Sequence, residues 1–232
     1  MDLNGKVIAV TGAYGNLGKA VALAASLRGA RLALLDRAPA PLQPPPELSA
    51  ALFLGGVDLT DSQAAIEAID IAATRLGGLD ALVSLAGSFR WETLQEGNAD
   101  TWDFLYSINT RTAVIAAQAA LPHLLARNGG RIVNVGANAA IKAGIGMGAY
   151  AAAKAGVARL TESLAEELKD RNITVNAVLP SIIDTPQNRA DMPDADFSRW
   201  VSPAALAEVI LFLVSDAASA ITGALVPVTG RV

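Results

Sequence analysis

Residues 7–18 read Val7-Ile8-Ala9-Val10-Thr11-Gly12-Ala13-Tyr14-Gly15-Asn16-Leu17-Gly18, and this stretch decides the fold. Its four apolar residues at 7–10 predict a short buried strand. A glycine-rich turn follows, and a helix is predicted up to residue 28, where Gly29 stops it. Such a turn presents free N–H groups at a helix N-terminus, where a pyrophosphate binds. The candidate phosphate-binding residues are Gly12, Tyr14, Gly15, Asn16, Leu17 and Gly18, and the alternative is a glycine-rich turn without a ligand.

The same alternation of a short apolar run and an alanine-rich helical stretch continues along the chain. Further strands are predicted at 31–35, 51–57, 80–85, 131–135, 174–179 and 224–228, and helices at 62–76, 100–126, 149–169 and 203–214. Apolar strands that alternate with helices indicate a parallel sheet covered on both faces. We therefore expect one doubly wound α/β domain that spans residues 1–232.

The composition excludes several classes of protein. Hydrophobic residues make up 52% and charged residues 17%, which excludes intrinsic disorder. The absence of Cys excludes a disulfide scaffold, a Cys-ligated zinc site and a thiol nucleophile, and with a single His we expect no metal site. A net charge of −4 argues against a nucleic-acid partner.

The mean hydropathy of +0.38 raises the question of a membrane. No apolar run reaches the roughly 20 residues that span a bilayer, and residues 1–6 do not resemble a signal peptide. We expect a cytoplasmic protein with no membrane partner. The surplus of apolar residues favours a homo-oligomer.

The segment from residue 38 to residue 47 breaks the alternation. It holds five prolines, Pro39, Pro41, Pro44, Pro45 and Pro46. Proline fits neither a central strand nor a helix interior, so the segment is predicted to be an extended surface loop. A stiff connection between strands is favoured over a docking motif for an SH3-type domain.

Asp36 directly follows the second predicted strand, 18 residues after Gly18. A carboxylate at this position accepts hydrogen bonds from the ribose hydroxyls of a dinucleotide. It also repels a 2′-phosphate, so NAD(H) is preferred and NADP(H) is the alternative. Arg37, the next residue, is a further candidate for contact with the cofactor, and its positive charge makes this preference less sharp. The simpler interpretation is that Asp36 caps a loop.

Tyr150 and Lys154 lie four residues apart on a predicted helix, which places them on one face. A free tyrosine has a pKa of about 10 and is a poor acid or base at neutral pH. A nearby ammonium group favours the phenolate and lowers the pKa of the tyrosine. The pair is therefore a candidate general acid/base. The alternative is two side chains on a solvated helix face.

Together these motifs resemble the short-chain dehydrogenase/reductase family. The shared elements occur in the family's order over the whole chain: the turn from Thr11 to Gly18, Asp36, Asp58-Leu59, Ala86-Gly87, Asn109, Tyr150 with Lys154, and Pro180 to Thr185. The resemblance implies one Rossmann-like domain with a seven-stranded parallel sheet. It also implies a dimer or tetramer, and hydride transfer between a nicotinamide dinucleotide and a small-molecule substrate.

The resemblance further implies a role for each matching residue. Tyr150 matches the proton donor, Lys154 the residue that binds the nicotinamide ribose and tunes Tyr150, and Asn109 a residue that orders water. Cofactor contacts are implied for Asp58, Leu59, Ala86, Gly87, Pro180, Ile183 and Thr185. The chain departs from the family at Ser84, where an Asn is usual, and at Asn16, where a Gly is common.

The largest departure lies thirteen residues before Tyr150, where the family usually has a serine. This chain has Ala137, which cannot donate a hydrogen bond to a substrate carbonyl. Loss of one such donor commonly costs on the order of 10²–10³ in rate. Three hypotheses follow: Asn138 supplies the donor, the substrate does not need it, or the protein has lost catalysis.

The C-terminal half also resembles dihydropteridine reductase, a branch of the family that has alanine at the serine position. The similar stretches are Gly136-Ala137, Gly146-Met147, and the run from Leu179-Pro180 through Asp184-Thr185-Pro186 to Trp200. The substrate of that branch is a quinonoid pterin. Its conjugated, imine-like system needs protonation more than it needs polarisation of a carbonyl.

These observations leave three candidate functions. The first is an NAD(P)H-dependent reductase of a quinonoid dihydropteridine-like substrate, with Tyr150 as the proton donor. The second is a carbonyl/alcohol reductase in which Asn138 replaces the serine. The third is a non-catalytic NAD(P)-binding sensor or assembly subunit. Substrate contacts are predicted for Phe89, Trp91, Ala137, Asn138 and Met147, because aromatic rings stack on flat substrates.

Overall fold

The centre of the computed structural model, which describes residues 1–232, is a sheet of seven strands. These are β1 (Val7–Thr11), β2 (Arg31–Asp36), β3 (Leu52–Gly55), β4 (Ala81–Ser84), β5 (Gly130–Val135), β6 (Ile173–Pro180) and β7 (Leu225–Val228). Their order is β3-β2-β1-β4-β5-β6-β7, and every neighbouring pair is parallel. The predicted doubly wound Rossmann-like domain is confirmed.

Seven α-helices connect the strands. They are α1 (Asn16–Ser26), α2 (Ser62–Leu76), α3 (Ala99–Leu105), α4 (Thr112–Ala126), α5 (Gly148–Leu168), α6 (Pro186–Asp191) and α7 (Pro203–Val214). α1 and α7 cover one face of the sheet, and α2, α4 and α5 cover the other. None of the helices combines the length and the apolar character that crossing a bilayer requires.

Each face of the sheet carries its own hydrophobic core. Successive strand residues point to opposite faces, so Leu34 packs under α1 and α7 whereas Leu35 packs under α2 and α4. Both side chains are almost fully buried. Burial of a leucine contributes roughly 1.5–3 kcal/mol, so the two cores hold the strand ends, and the loops that follow them, in fixed positions.

Local signals set several helix ends. The Asp61 carboxylate accepts from the N–H groups of Gln63 and Ala64 at the start of α2, and Gly77, with φ +74°, ends it. Ser202 caps α7, and Pro203 occupies its first turn. The predicted bounds 62–76 and 203–214 are confirmed, and the other strands and helices are displaced by up to about two residues.

The helix predicted at 100–126 is present as one continuous helical stretch from residue 99 to residue 126, but it is not α-helical throughout. The chain forms α3, then a π-helical segment at Tyr106–Arg111, and then α4. The π segment inserts one extra residue per turn, and a hydrophobic pattern does not reveal such an insertion. Asn109 lies in the middle of it.

Candidate active site

The turn between β1 and α1 packs so closely on neighbouring backbone that two of its positions accept only glycine. Gly12 has φ +62°, and a Cβ at this position would lie 2.9 Å from the backbone nitrogen of Ala86. A Cβ on Gly18 would collide with the carbonyl oxygen of Gly12. The N–H groups of Asn16, Leu17 and Gly18 have no acceptor within the chain. These donors lie at the N-terminus of α1 and fit a pyrophosphate.

Asp36 lies at the carboxyl end of β2 and faces this turn. Its Oδ2 accepts from the N–H of Tyr14 at 2.8 Å, and its Oδ1 accepts from the N–H of Ala38 at 2.9 Å. Each carboxylate oxygen has a second lone pair for a ligand hydroxyl. Burial raises the pKa of Tyr14 to about 12, with a further contribution from the Asp36 charge. Tyr14 therefore stays neutral beside the carboxylate.

Asp58 and Leu59 follow β3 and differ in their surroundings. Asp58 Oδ1 accepts from the N–H and hydroxyl of Thr60, at 2.9 and 2.7 Å. These bonds, with a smaller effect of the Arg37 charge, lower the pKa of Asp58. Leu59 packs with Ala65 and Ile115 in a small core cluster. The pair thus offers one anchored carboxylate and one apolar wall.

A cavity of about 570 Å³ joins these segments at the carboxyl ends of the central strands. Of the predicted cofactor-binding residues, those that border it are Gly12, Tyr14, Gly15, Asn16, Leu17, Gly18, Asp36, Arg37, Asp58, Leu59, Ala86, Gly87 and Thr185. The sequence reasoning missed Ala38, Val57, Leu85, Ser88, Phe104, Ile108 and Thr112. The last three are four residues apart, a helical spacing that could have revealed them.

Pro180 and Ile183 do not border this cavity, although contacts with the cofactor were predicted for them. Pro180 is the buried last residue of β6, and Ile183 forms a bridge with Val201. Thr185 does border the cavity. Its hydroxyl oxygen accepts from the N–H of Asn188 at 3.2 Å and caps α6, which leaves the hydroxyl proton free to be donated.

Tyr150 and Lys154 occupy the first two turns of α5, as expected. Lys154 Nζ lies 5.9 Å from the centre of the Tyr150 ring and donates to the carbonyl oxygen of Val135 at 2.8 Å. A Cβ on Gly87 would lie 3.3 Å from Lys154 Nζ. Lys154 therefore adjoins the cavity through Gly87, although neither Tyr150 nor Lys154, both predicted cofactor contacts, borders the cavity itself.

The expected lowering of the Tyr150 pKa by Lys154 does not occur in this state of the chain. Burial raises the pKa of Tyr150 to about 12 and lowers the pKa of Lys154 to about 8. Desolvation disfavours the charged form of each group, and the ammonium interacts with the Val135 carbonyl rather than with the phenol oxygen. Tyr150 is therefore a protonated phenol at neutral pH.

Asn109 is buried beside this pair, and its amide holds the chain segment after β4. Oδ1 accepts from the N–H of Ser88 at 3.2 Å, and Nδ2 donates to the carbonyl oxygens of Ser88 and Leu105 at 2.9 and 3.0 Å. Both amide hydrogens are used, so the side chain has only one Oδ1 lone pair for water. The water-ordering role stays a prediction.

The predicted substrate contacts gather around the start of α5. The ring of Phe89 meets Tyr150 edge-on, with 4.9 Å between ring centres. Trp91 packs against Gly146, and Met147 directly precedes α5. Ala137 is buried, whereas Asn138 is exposed and its amide has no partner in the chain.

The charged segment after β6 is tied to itself and does not reach the cavity beyond Thr185. Asp184 pairs with Arg189 at 2.6 Å, and the Arg189 guanidinium lies 4.8 Å from the ring centre of Phe197. Trp200, at the end of this segment, is buried against Phe197.

The chain matches known proteins along nearly its whole length. Residues 6–196 match the family described as short chain dehydrogenase. The sequence is 33% identical to the 3-oxoacyl-(acyl-carrier-protein) reductase FabG of Thermotoga maritima, over 99% of this chain and 98% of that protein. It is 32% identical to 2-(S)-hydroxypropyl-CoM dehydrogenase 3 of Xanthobacter autotrophicus, over 98% and 96% of the two chains.

Solved structures of short-chain dehydrogenases are also similar to this chain. Carveol dehydrogenase of Mycobacterium avium, solved in complex with NAD, superposes with a TM-score of 0.86 and is 28% identical, with 98% of this chain and 97% of that chain covered. The site geometry, the family match and these relatives agree. The chain belongs to the short-chain dehydrogenase/reductase family and is an NAD(P)-dependent oxidoreductase.

Proposed function

We propose that this protein interconverts a small carbonyl compound and its alcohol with NAD(H), and that Tyr150 exchanges the proton. The observation that carries the proposal is the position of Lys154, which adjoins the cavity residue Gly87 and lies 5.9 Å from the centre of the Tyr150 ring. A dinucleotide that fills the cavity ends at this turn. The reacting group of the substrate is then placed next to the phenol.

The cavity offers a partner for each part of the cofactor. The free N–H groups of Asn16, Leu17 and Gly18 would hold the phosphates, and Asp36 would accept from the adenosine ribose. Asp58 and Leu59 would flank the adenine. Lys154 would bind the second ribose, and the free Thr185 proton suits a carboxamide oxygen. When bound, the dinucleotide supplies or accepts the hydride.

The protein's own residues handle the proton. Because burial raises the pKa of Tyr150 to about 12, the phenol is protonated and ready to donate during reduction. Lys154 gains its charge below a pKa of about 8. A charged ammonium close to the phenol favours the phenolate that remains after donation.

The choice of a carbonyl substrate is supported by the relatives. Their names identify a 3-oxoacyl-(acyl-carrier-protein) reductase, a hydroxypropyl-CoM dehydrogenase and a threitol dehydrogenase. Asn138, exposed and without a partner, would polarise the carbonyl in place of the missing serine. Phe89, Trp91 and Met147 would form apolar walls that favour a compact substrate.

A quinonoid dihydropteridine is the second candidate, and Ala137 is the observation that favours it. A conjugated imine is already electrophilic. The reduction of such a substrate would therefore not need the hydrogen-bond donor that Ala137 lacks. The same rings, Phe89 and Trp91, would stack on the flat pterin.

An NADH consumption assay separates these candidates. The panel contains small ketones, a 3-oxoacyl thioester and a quinonoid dihydropterin, each tested with wild type, Tyr150→Phe and Asn138→Ala. We expect turnover of a carbonyl that Tyr150→Phe abolishes and that Asn138→Ala lowers by about 10²-fold. Turnover of the pterin alone, unchanged in Asn138→Ala, would replace the first proposal by the second. NADH binding without turnover would favour a sensor.

We further propose a homo-oligomer, a dimer or tetramer, in the cytoplasm. Trp102 and Tyr106 support this assembly, because both large side chains remain exposed on adjoining helical segments. Sedimentation velocity measures the assembly directly, and a purely monomeric species at micromolar concentration would refute it.

A further inference from the structure

A second cavity, of about 470 Å³, lies beside the first on the α1 face of the sheet. Its walls come from β2, β3 and the proline segment, and include Leu34, Phe53 and Pro41. Tyr14 and Ala38 border both cavities, so they form the partition between them. The proposed function leaves this second space without a role.

The cavity occupies the space where a crossover helix would pack. Parallel neighbours such as β2 and β3 are usually joined by a dozen or more residues that include a helix. Here residues 37–51 contain only one turn of 3₁₀-helix, Pro46–Leu48. The sheet edge above Leu34 and Phe53 is therefore covered by an open loop rather than by a packed helix.

The loop that covers the cavity is held near both of its ends by hydrogen bonds. The N–H of Gly56 donates to the carbonyl oxygen of Ala38 at 3.1 Å, and the Ser26 hydroxyl donates to the carbonyl oxygen of Glu47 at 2.5 Å. Prolines between these anchors limit the conformations of the loop. Collapse of the loop into the cavity is thereby opposed.

The charges around the cavity are separated along α1. Lys19 borders the cavity and forms no ion pair, although Glu47 borders the same cavity. The backbone carbonyl of Glu47 accepts from the hydroxyl of Ser26, which is seven residues after Lys19, or about 10 Å along the helix axis. The mainly apolar cavity is thus bordered by two exposed charged residues, the unpaired Lys19 and Glu47, at different points along α1.

We propose that this cavity binds an elongated aromatic or apolar anion, whose acidic group pairs with Lys19 and whose rings lie between Tyr14, Phe53 and the prolines. The class fits because the walls are mainly apolar and Lys19, the one cation that borders the cavity, has no ion-pair partner. A hydrogen-bond donor at the opposite end of the ligand would meet Glu47. The ligand binds together with the dinucleotide, since each cavity is separate.

The test uses two fluorescent probes that differ in one group. Anilinonaphthalene sulfonate (ANS) carries an anion, and phenylnaphthylamine is its uncharged analogue. Each is titrated into wild-type protein with and without saturating NAD⁺. We expect one ANS per chain, bound more tightly than the uncharged probe and not displaced by NAD⁺.

Two variants and a matched control locate the probe. Leu23→Trp fills the cavity and is expected to weaken ANS binding by about tenfold or more, because a larger side chain meets fixed walls. Leu27→Trp adds the same ring four residues later, at the C-cap of α1 and outside the cavity, and should leave binding unchanged. Lys19→Gln should weaken ANS about threefold and the uncharged probe not at all.

Equal ANS affinity in Leu23→Trp and Leu27→Trp would overturn the proposal, and so would loss of ANS on addition of NAD⁺. Equal affinity of the two probes would show that the cavity does not select an anionic ligand, which would overturn that part of the proposal. The comparison of the two tryptophan variants does not require dinucleotide binding. Failure of the proposed function therefore leaves this test intact.

Discussion

Phe89 packs against Tyr150 and is one of the side chains that bury its ring. The two rings meet edge-on, and burial is the cause of the high pKa of Tyr150. Phe89 itself is about half exposed, on the open side of the site. It is therefore the side chain that can leave Tyr150 with the least disturbance to the core.

Replacing Phe89 by Ala should lower the pKa of Tyr150 from about 12 towards the ordinary value near 10, because water then reaches the phenol. The ultraviolet absorbance of phenolate, followed against pH, measures this shift. Trp91→Ala is the control, since Trp91 packs on Gly146 instead. An identical titration curve for Phe89→Ala and wild type would contradict the prediction.

Burial of Lys154 makes the stability of the fold depend on pH. The folded pKa of about 8 is below the ordinary 10.5, so between these values the unfolded chain binds more protons than the native one. Stability then rises with pH in this window. From pH ~7.5 to ~9.5 the free energy of unfolding should rise by about 2 kcal/mol.

Urea unfolding of wild type and Lys154→Met at the two pH values tests this effect. Methionine has no charge to desolvate, so the variant lacks this pH dependence. The free energy of unfolding of wild type minus that of the variant should therefore increase by about 2 kcal/mol from the lower to the higher pH. A constant difference between the two proteins would show that Lys154 keeps an ordinary pKa when folded.

At the scale of single elements, the π segment at Tyr106–Arg111 has the greatest influence on the site. It turns Asn109 towards the backbone of Ser88 and lets the Thr110 hydroxyl donate to the carbonyl oxygen of Ala153 on α5 at 2.7 Å. A Cβ on Gly156 would lie 2.9 Å from the Thr110 side chain, so the two segments are in close contact. The segment thus joins the turn after β4 to the helix that carries Tyr150.

Asn109→Ala should destabilise the protein by roughly 3 kcal/mol, because three hydrogen bonds of a buried amide are lost at about 1 kcal/mol each. Asn98→Ala removes only the cap at the start of α3 and should cost about 1 kcal/mol. Urea denaturation compares the two. Similar losses for both variants would mean that the Asn109 amide is not a clamp.

Elements with local signals were predictable, and elements set by distant contacts were not. The bounds of α2 follow from Asp61 and Gly77, which act within one turn of the helix. Thirteen predicted residues border the first cavity, because glycines and strand ends mark it directly in the sequence. Asn109 in the π segment bonds to Ser88, 21 residues away, and the high pKa of Tyr150 is due to burial, so neither feature is visible in a periodicity.

At the scale of the whole molecule, the site lies where the strand order reverses, between β1 and β4. Segments from residue 12 to residue 185 meet there. A ligand that binds only this assembled arrangement stabilises the entire fold. At about 100 times its dissociation constant, the gain is roughly 2.7 kcal/mol.

NAD⁺ should therefore raise the melting temperature more than NADP⁺ at equal concentration, because the Asp36 carboxylate repels a 2′-phosphate. Asp36→Ser should reduce this difference. Asp36 also accepts from Tyr14 and Ala38, so each protein is compared with its own ligand-free melting temperature. A larger shift with NADP⁺ in wild type would assign the ribose contact to Arg37.

The central position of β1 governs how the chain folds during its synthesis. β1 pairs with β2, which follows closely, and with β4, which lies some seventy residues later. On the ribosome, one edge of β1 keeps its N–H and C=O groups unpaired until residues 81–84 have emerged. During synthesis of the roughly seventy residues between β1 and β4, the nascent chain therefore carries an apolar strand with one unpaired edge, which is the kind of segment that aggregates unless it is protected.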